Sequence, residues 1–510
     1  MRSLDVAGLR SLPSRARPQT LAAFVVPVAV LLATVPFSFH VAGSQQDEGA
    51  FLLYGDRVLH GAVGYRDFLT FYGPGNPWLM AAAFRVAGSS IWAERGVGLL
   101  YQLAVPLLIA GIGLRWSPRV AATAGALSTA AVLSLGPSPI PFLAAIALIL
   151  ASILLMAGRG PERPGRSRYV CAGAVAALSI TFRIDIAPAV VISAVPLLLG
   201  AGRRAAWFAL GAGVGLLPLI VDTEIASPGL VFQNVWIDAV LRQAAGRRLP
   251  IPPPMKSAEF ALAGTLLAVA ADIVAAGASL PRIRRDDHSR LLVALTALAV
   301  GLLPEMLQRD DLPHILMAAS VAGGILPMAL ASLSARRRMR LPRPHTTTYA
   351  AAALIALAGV GFAALTLWPN RGDSVANRGR EFLTSRTDAA QAQSALDAVD
   401  RLARPGQRIF VGTSDMRRTN YTDTYLYYLL PQLVPATYYL EFEPLVVNRA
   451  DSGLANQIAS ADVLILTTEW ENWPEHNASQ LYGSSEPNRT VRRLFCLRVT
   501  VGHYRLYARC

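Results

Sequence analysis

Apolar stretches of roughly 15–22 residues recur along the chain, near the length of helix that crosses a bilayer, and short basic clusters divide them. The pattern predicts about eleven spans, at about 20–40, 94–114, 120–135, 141–157, 169–182, 186–201, 205–221, 260–280, 291–304, 315–333 and 347–368. Residues 77–88 form a shorter, mixed apolar segment that reads as a helix lying at the membrane interface. After Trp368 the pattern changes. Residues 387–404 carry Ala395, Leu396, Val399, Leu402 and Ala403 at helical spacing, stopped by Pro405-Gly406. Residues 409–411 and 463–466 are short buried-strand candidates, and 495–501 with 503–508 reads as a hairpin around Gly502. The predicted architecture is a polytopic α-helical membrane domain over 1–368, with its first outer loop at 41–93, and a soluble α/β domain over 369–510.

Charge orients the spans. The segments between them that read as cytoplasmic hold twenty-one arginines against four acids (Asp5, Glu162, Asp286 and Asp287). The N-terminus is therefore expected in the cytoplasm and the 369–510 domain outside, in a multi-pass protein of the cytoplasmic membrane. A cleaved signal peptide shares the basic-then-apolar start, but the long loop and further spans that follow favour an uncleaved first span. The outer loop over 222–259, with its proline run at 250–254, is too polar and broken to cross a bilayer. At 53% hydrophobic and 16% charged, the 510 residues are too apolar for a soluble protein, and mean hydropathy is +0.40. The net charge of +14 is spread between spans, so it describes topology rather than a nucleic-acid partner.

Candidate chemistry gathers at the outer span ends. Asp47-Glu48 follows the first span; Tyr65-Arg66-Asp67, then Tyr72-Gly73-Pro74, follow in the same loop. Arg183-x-Asp185 ends the fifth span, and Arg309-x-Asp311-x-x-His314 lies between the ninth and tenth. Ionised groups at a membrane boundary are tolerated where water, a partner or a substrate meets them. A carboxylate there can take a proton from an attacking hydroxyl, and arginines can hold a phosphate by charge-assisted hydrogen bonds. The combination suits transfer from a lipid-phosphate donor in a cavity at the outer interface.

The order of span 1, Asp47-Glu48, Gly64-Tyr65-Arg66-Asp67-Phe68, Tyr72-Gly73-Pro74 and an interfacial helix resembles the integral-membrane glycosyltransferases of the C superfamily (GT-C). Within these it is most similar to bacterial relatives of the protein mannosyltransferases and lipid A aminoarabinose transferases, over roughly residues 20–370; Arg309-x-Asp311-x-x-His314 resembles one of their outer-loop motifs. The resemblance implies a polyprenyl-phosphate-linked sugar as donor, a glycan, glycolipid or protein acceptor on the outer face, and inversion at the anomeric carbon. It implies Asp47 as general base, Glu48 and Asp67 orienting the acceptor or a divalent ion, and Arg66, Arg183, Arg309 and His314 on the donor phosphate, supported by Asp185 and Asp311. Metal need varies in that superfamily, so no cofactor is assigned and a divalent cation stays open. Lys256 is the only lysine, so any lysine that relatives place on the lipid phosphate is replaced here by arginine. This use of arginine over lysine fits a GC-rich bacterial genome, and hence decaprenyl- or undecaprenyl-phosphate donors.

Each motif has a plainer reading. Asp47-Glu48 can be a solvated loop pair, and Arg66-Asp67 or Arg183-x-Asp185 local ion pairs that shape a turn. Tyr425, Tyr427, Tyr428, Tyr438 and Tyr439 can stack on sugar rings or fill a core. Cys496 and Cys510 can bridge the terminal hairpin or stay free. A flippase or transporter of a lipid-linked saccharide would use the same arginines without a base, but transporters show internal repeats, and none is present here. A membrane anchor displaying 369–510 would not need eleven spans. The topology predicts that an outside-only thiol label reaches a cysteine placed at position 47 and not one at position 163; the reverse labelling overturns it.

Overall fold

The computed structural model describes residues 16–157, 165–200, 202–336, 354, 357–361, 363–365, 367–472, 475 and 477–510. In chain order its main helices are α1 (Ala16–Ser38), α2 (Asp47–Leu59), α3 (Gly75–Ala87), α4 (Ile91–Gly113), α5 (Pro118–Val132), α6 (Pro141–Met156), α7 (Arg166–Phe182), α8 (Ala187–Leu198) and α9 (Arg203–Ala226). They continue with α10 (Lys256–Ser279), α11 (Asp287–Gly301), α12 (Leu303–Gln308), α13 (Leu312–Arg336), α14 (Arg386–Leu402) and α15 (Tyr425–Leu429). Their starts follow local chemistry. Ser117 accepts from the Val120 amide ahead of Pro118 to open α5, and Asp286 accepts from the amides of His288 and Ser289 to open α11.

Six stretches among the described residues are long and apolar enough to cross a bilayer: Thr20–Ser38, Ile91–Gly113, Arg203–Ala226, Lys256–Arg282, Asp287–Gln308 and Leu312–Ala335. The expectation of about eleven is not met by length. The predicted spans at 120–135, 141–157, 169–182 and 186–201 are helices, but α5, α6, α7 and α8 have 15, 16, 17 and 12 residues, below the ~20 that reach across a hydrocarbon core untilted. The span predicted at 347–368 lies largely outside the described residues.

The chain forms two compact units. The first comprises Met1–Ser38, Leu99–Leu217 and Pro253–Trp368, and is helical. Within it α6 packs on α7, α10 and α5 pack on α13, and α8 packs on α11. Where α7 meets α9 the backbones touch: a Cβ added to Gly173 would lie 1.9 Å from the Phe208 carbonyl, one on Gly211 1.9 Å from that of Val170, and one on Gly215 2.2 Å from that of Ala174. Small residues four apart give helices in lipid the close approach that hydrophobic burial does not provide there.

The second unit gathers Phe39–Gly98, Pro218–Pro252 and Pro369–Cys510. Its centre is a five-stranded sheet in the order β4-β3-β5-β7-β6, built from β3 (Arg408–Thr413), β4 (Val434–Pro435), β5 (Val463–Thr467), β6 (Phe495–Val501) and β7 (Tyr504–Arg509). Strands β3, β4 and β5 run parallel; β5–β7 and β7–β6 are antiparallel. A separate hairpin pairs β1 (Asp373–Asn377) with β2 (Arg380–Thr384). Phe410, Phe442, Leu464 and Leu466 lie in the core against one sheet face. The predicted helix, both buried strands and the terminal hairpin are all present within a few residues of their expected bounds. Cys496 and Cys510 are bridged, with Cα atoms 5.0 Å apart, and Cys171 is free. Tyr425, Tyr427 and Tyr428 are buried core residues, not exposed sugar platforms.

Gly211→Leu should force α7 and α9 apart, at a cost of about 1–3 kcal/mol or more. Thermal unfolding of the purified protein in detergent checks this, and an unchanged midpoint would discard the close crossing.

Candidate functional site

Helix α2 begins at Asp47, and the residues before it are pinned by the C-terminal segment of the same unit. Gln46 Oε1 accepts from the amides of Thr422 (2.9 Å) and Phe442 (3.3 Å), its Nε2 donates to the Phe442 carbonyl (3.3 Å), and the Tyr425 amide donates to the Gln45 carbonyl (3.2 Å). A Cβ on Gly49 would stand 2.6 Å from the Tyr425 nitrogen, so only glycine admits this approach. Glu48 faces inward. Arg95 grips it with a fork, Nε to Oε1 at 2.7 Å and Nη2 to Oε2 at 3.0 Å, and sends Nη1 to the Phe39 carbonyl at 2.5 Å. The two side chains are 0% and 4% exposed. Both oxygens of Glu48 are thus committed to a buried counter-ion. At the other end of α2, Arg380 holds Asp56 by a second fork, both arms 3.0 Å.

Asp47 is exposed and lies in the first turn of α2, where the helix dipole favours a carboxylate. Its Oδ2 accepts from Ser44 Oγ (2.8 Å) and Tyr421 Oη (2.9 Å), while its amide donates to Ser44 Oγ (3.0 Å). Tyr421 packs on Trp470 at 4.7 Å between ring centres. Burial, then the charge of Asp47, pushes the Tyr421 phenol up, which keeps it a donor. Glu441 belongs to the same cluster: burial first, then the charges of Glu443 and Asp47, push its carboxyl well above the usual range. Arg247 neutralises Glu443 at 2.9 Å and reaches Glu475 at 3.6 Å. The cluster thus sets an exposed carboxylate, Asp47, near a buried one, Glu441. Tyr421, Glu441, Glu443 and Arg247 were not singled out in the sequence. The only local signal was the acid pair Glu441-Phe442-Glu443 inside an otherwise aromatic and apolar segment.

The Gly64-Tyr65-Arg66-Asp67-Phe68 motif is a tight loop. Tyr65 has φ 63, its amide donates to the Phe68 carbonyl (3.0 Å), and the Asp67 amide to that of Val63 (2.9 Å). Arg66 forks onto Asp67 at 3.1 and 2.8 Å, and the Val63 amide donates to Asp67 Oδ2 at 2.8 Å. The hydrogen bond from Arg66 holds the Asp67 carboxyl below the usual range. Buried Tyr65 donates to the Tyr72 carbonyl (2.6 Å) and its own carbonyl accepts from Tyr438 Oη (2.5 Å). Arg66 and Asp67 thus spend these bonds on shaping the turn.

The other predicted residues lie in the first unit and form their own network. Arg183, at the end of α7, pairs with Asp185 and with Glu305 Oε1 (2.8 Å) and lies over the Phe142 ring at 5.3 Å. Arg309 Nε donates to Asp311 Oδ2 (2.6 Å); His314 Nδ1 is 2.5 Å from Asp311 Oδ1, and its Nε2 is 3.8 Å from Glu305 Oε1. Burial works to raise the Asp311 carboxyl, but His314 and Arg309 outweigh it and hold it down at about 2. Five of these residues were named from their motifs. Glu305 was missed, because its link to Arg183 spans 122 residues and leaves no local trace.

No protein-family profile matches the sequence, and no curated protein matches it. Solved structures do. ArnT from Cupriavidus metallidurans bound to undecaprenyl phosphate superposes with a TM-score of 0.56 at 13% identity, covering 97% of this chain and 98% of that one. Its apo form gives 0.53 at 13% identity over 94% and 97%. ArnT is an aminoarabinose transferase of the GT-C group, so the resemblance drawn from Asp47-Glu48 and the loop after it is met at the level of the fold, over nearly the whole chain.

Breaking the Glu48–Arg95 fork from one side leaves a buried charge without its partner. Arg95→Met should cost about 3–5 kcal/mol, and Glu48→Leu with Arg95→Leu together less than Arg95→Met alone. Thermal unfolding in detergent measures both; if Arg95→Met unfolds like the wild type, the clamp has been misread.

Proposed function

We propose that this chain transfers a sugar from a polyprenyl-phosphate-linked donor to a hydroxyl of an envelope glycan, glycolipid or protein acceptor, on the outer face of the cytoplasmic membrane and with inversion. Asp47 takes the proton from the acceptor hydroxyl. The freed oxygen attacks the anomeric carbon, the bond from that carbon to the phosphate oxygen breaks on the opposite face, and polyprenyl phosphate leaves. Ser44 and Tyr421 orient the Asp47 carboxylate. Arg183, Arg309 and His314 hold the donor phosphate, exchanging their present carboxylate partners for phosphate oxygens. Glu48 and Asp56 act indirectly, by fixing α2.

The observation that carries this reading is the whole-chain likeness to ArnT, one form of which binds undecaprenyl phosphate, together with an exposed carboxylate where the GT-C resemblance expects the base. The reading is tested with purified protein in lipid, given labelled undecaprenyl-phosphate sugars. Asp47→Asn should lower transfer by about 10²–10⁴-fold while donor binding persists. Wild-type transfer by Asp47→Asn removes the base. Movement of lipid-linked saccharide across vesicles without any transfer would instead make the chain a flippase.

A further inference from the structure

Three side chains from separate elements of the second unit converge beside its sheet. Asp388 lies in the first turn of α14, Glu469 follows β5, and His503 sits in the turn between β6 and β7. One ligating atom from each falls within 4.8 Å of the other two. His503 Nε2 and Glu469 Oε2 are 3.2 Å apart, yet neither atom has exposed surface or a hydrogen-bond partner among the described residues. The pair stands at ion-pair distance if the imidazole is protonated, but no hydrogen bond satisfies either buried atom, and a cation bound beside them would satisfy both.

The surroundings favour a cation. Asp423 is 0% exposed; its Oδ1 accepts from Trp470 Nε1 at 2.9 Å, and its Oδ2 has no partner among the described residues. The candidate ligands are themselves held: Ser385 donates to Asp388, Gln45 Nε2 donates to Glu469 Oε1 at 3.3 Å, and the His503 amide donates to Gln391 Oε1 at 2.8 Å. Atoms about 2.0–2.2 Å from a tetrahedral Zn²⁺ stand about 3.3 Å from one another, which the 3.2 Å separation of His503 and Glu469 already meets. One imidazole with two carboxylates suits Zn²⁺, and Mn²⁺ next.

We propose that Asp388, Glu469 and His503 bind one divalent cation of the Zn²⁺ class, which joins α14, the end of β5 and the β6–β7 turn and, through Gln45, steadies the residues ahead of Asp47. The site is separate from the divalent ion that the GT-C resemblance left open near Glu48 and Asp67, and it stands whether or not the chain transfers sugar.

Tag-free, full-length protein in nanodiscs, stripped with a chelator, is titrated with ZnCl₂ and then with MnCl₂. Elemental analysis reads the stoichiometry and calorimetry the unfolding midpoint. One Zn²⁺ per chain and a raised midpoint are expected. His503→Ala and Glu469→Gln should weaken binding by more than about a hundredfold, and Gln45→Ala by about tenfold, as lost supporting contacts do. Asp47→Asn should bind Zn²⁺ like the wild type. The proposal falls if the wild type takes up neither metal, a result that needs no variant to fold. It falls equally if the His503→Ala, Glu469→Gln double variant, folded by circular dichroism, keeps its ion.

Discussion

A carboxylate and a guanidinium taken out of water at the start of α2 govern the candidate site. Burying an ion costs several kcal/mol, and the attraction between partners offsets that only when their geometry is good and the remaining donors are satisfied. Arg95 meets the condition with two arms on Glu48 and a third on the Phe39 carbonyl. Once Glu48 is committed inward, the helix repeat turns Asp47 outward. The Asp56–Arg380 fork closes the other end of α2, so the helix can neither rotate nor slide without stranding a charge.

The same economy explains why the second unit is assembled from three distant stretches of chain. Gln46 satisfies amides of Thr422 and Phe442 that would otherwise lie buried without partners, and Gly49 lets α2 press against Tyr425. Segment 421–443 then brings Tyr421, Glu441 and Glu443 to Asp47, and Arg247 arrives from the loop between α9 and α10 to balance the acids. The acids outnumber the one arginine, and burial together with the neighbouring charges of Glu443 and Asp47 pushes the Glu441 carboxyl up.

In the first unit the problem is opposite. Arg183, Arg309 and His314 sit among apolar helices and are held by Asp185, Glu305 and Asp311. Paired in this way the two arginines are held in place by carboxylates from the same unit. The fold that carries them persists at 13% identity because a bilayer accepts few ways of satisfying a backbone, and apolar helices with tight small-residue crossings are one of them.

The sequence by itself determined the class of the protein: the spacing of apolar stretches, the arginine clusters between them, the α/β order after Trp368 and the terminal hairpin all follow from periodicity and turn chemistry, which are local. It also put forward Asp47, Arg183 and Arg309-x-Asp311-x-x-His314 as site candidates, since charges at span ends are rare enough to stand out. Only the tertiary structure showed Glu48 forked by Arg95, Asp67 forked by Arg66, and residues 39–98 in one compact unit with 369–510. It alone supplied Tyr421, Glu441, Arg247 and Glu305. The reason is the same for all of them: a carboxyl's role depends on which partner burial forces upon it, and those partners lie tens to hundreds of residues away, where no periodic pattern reaches.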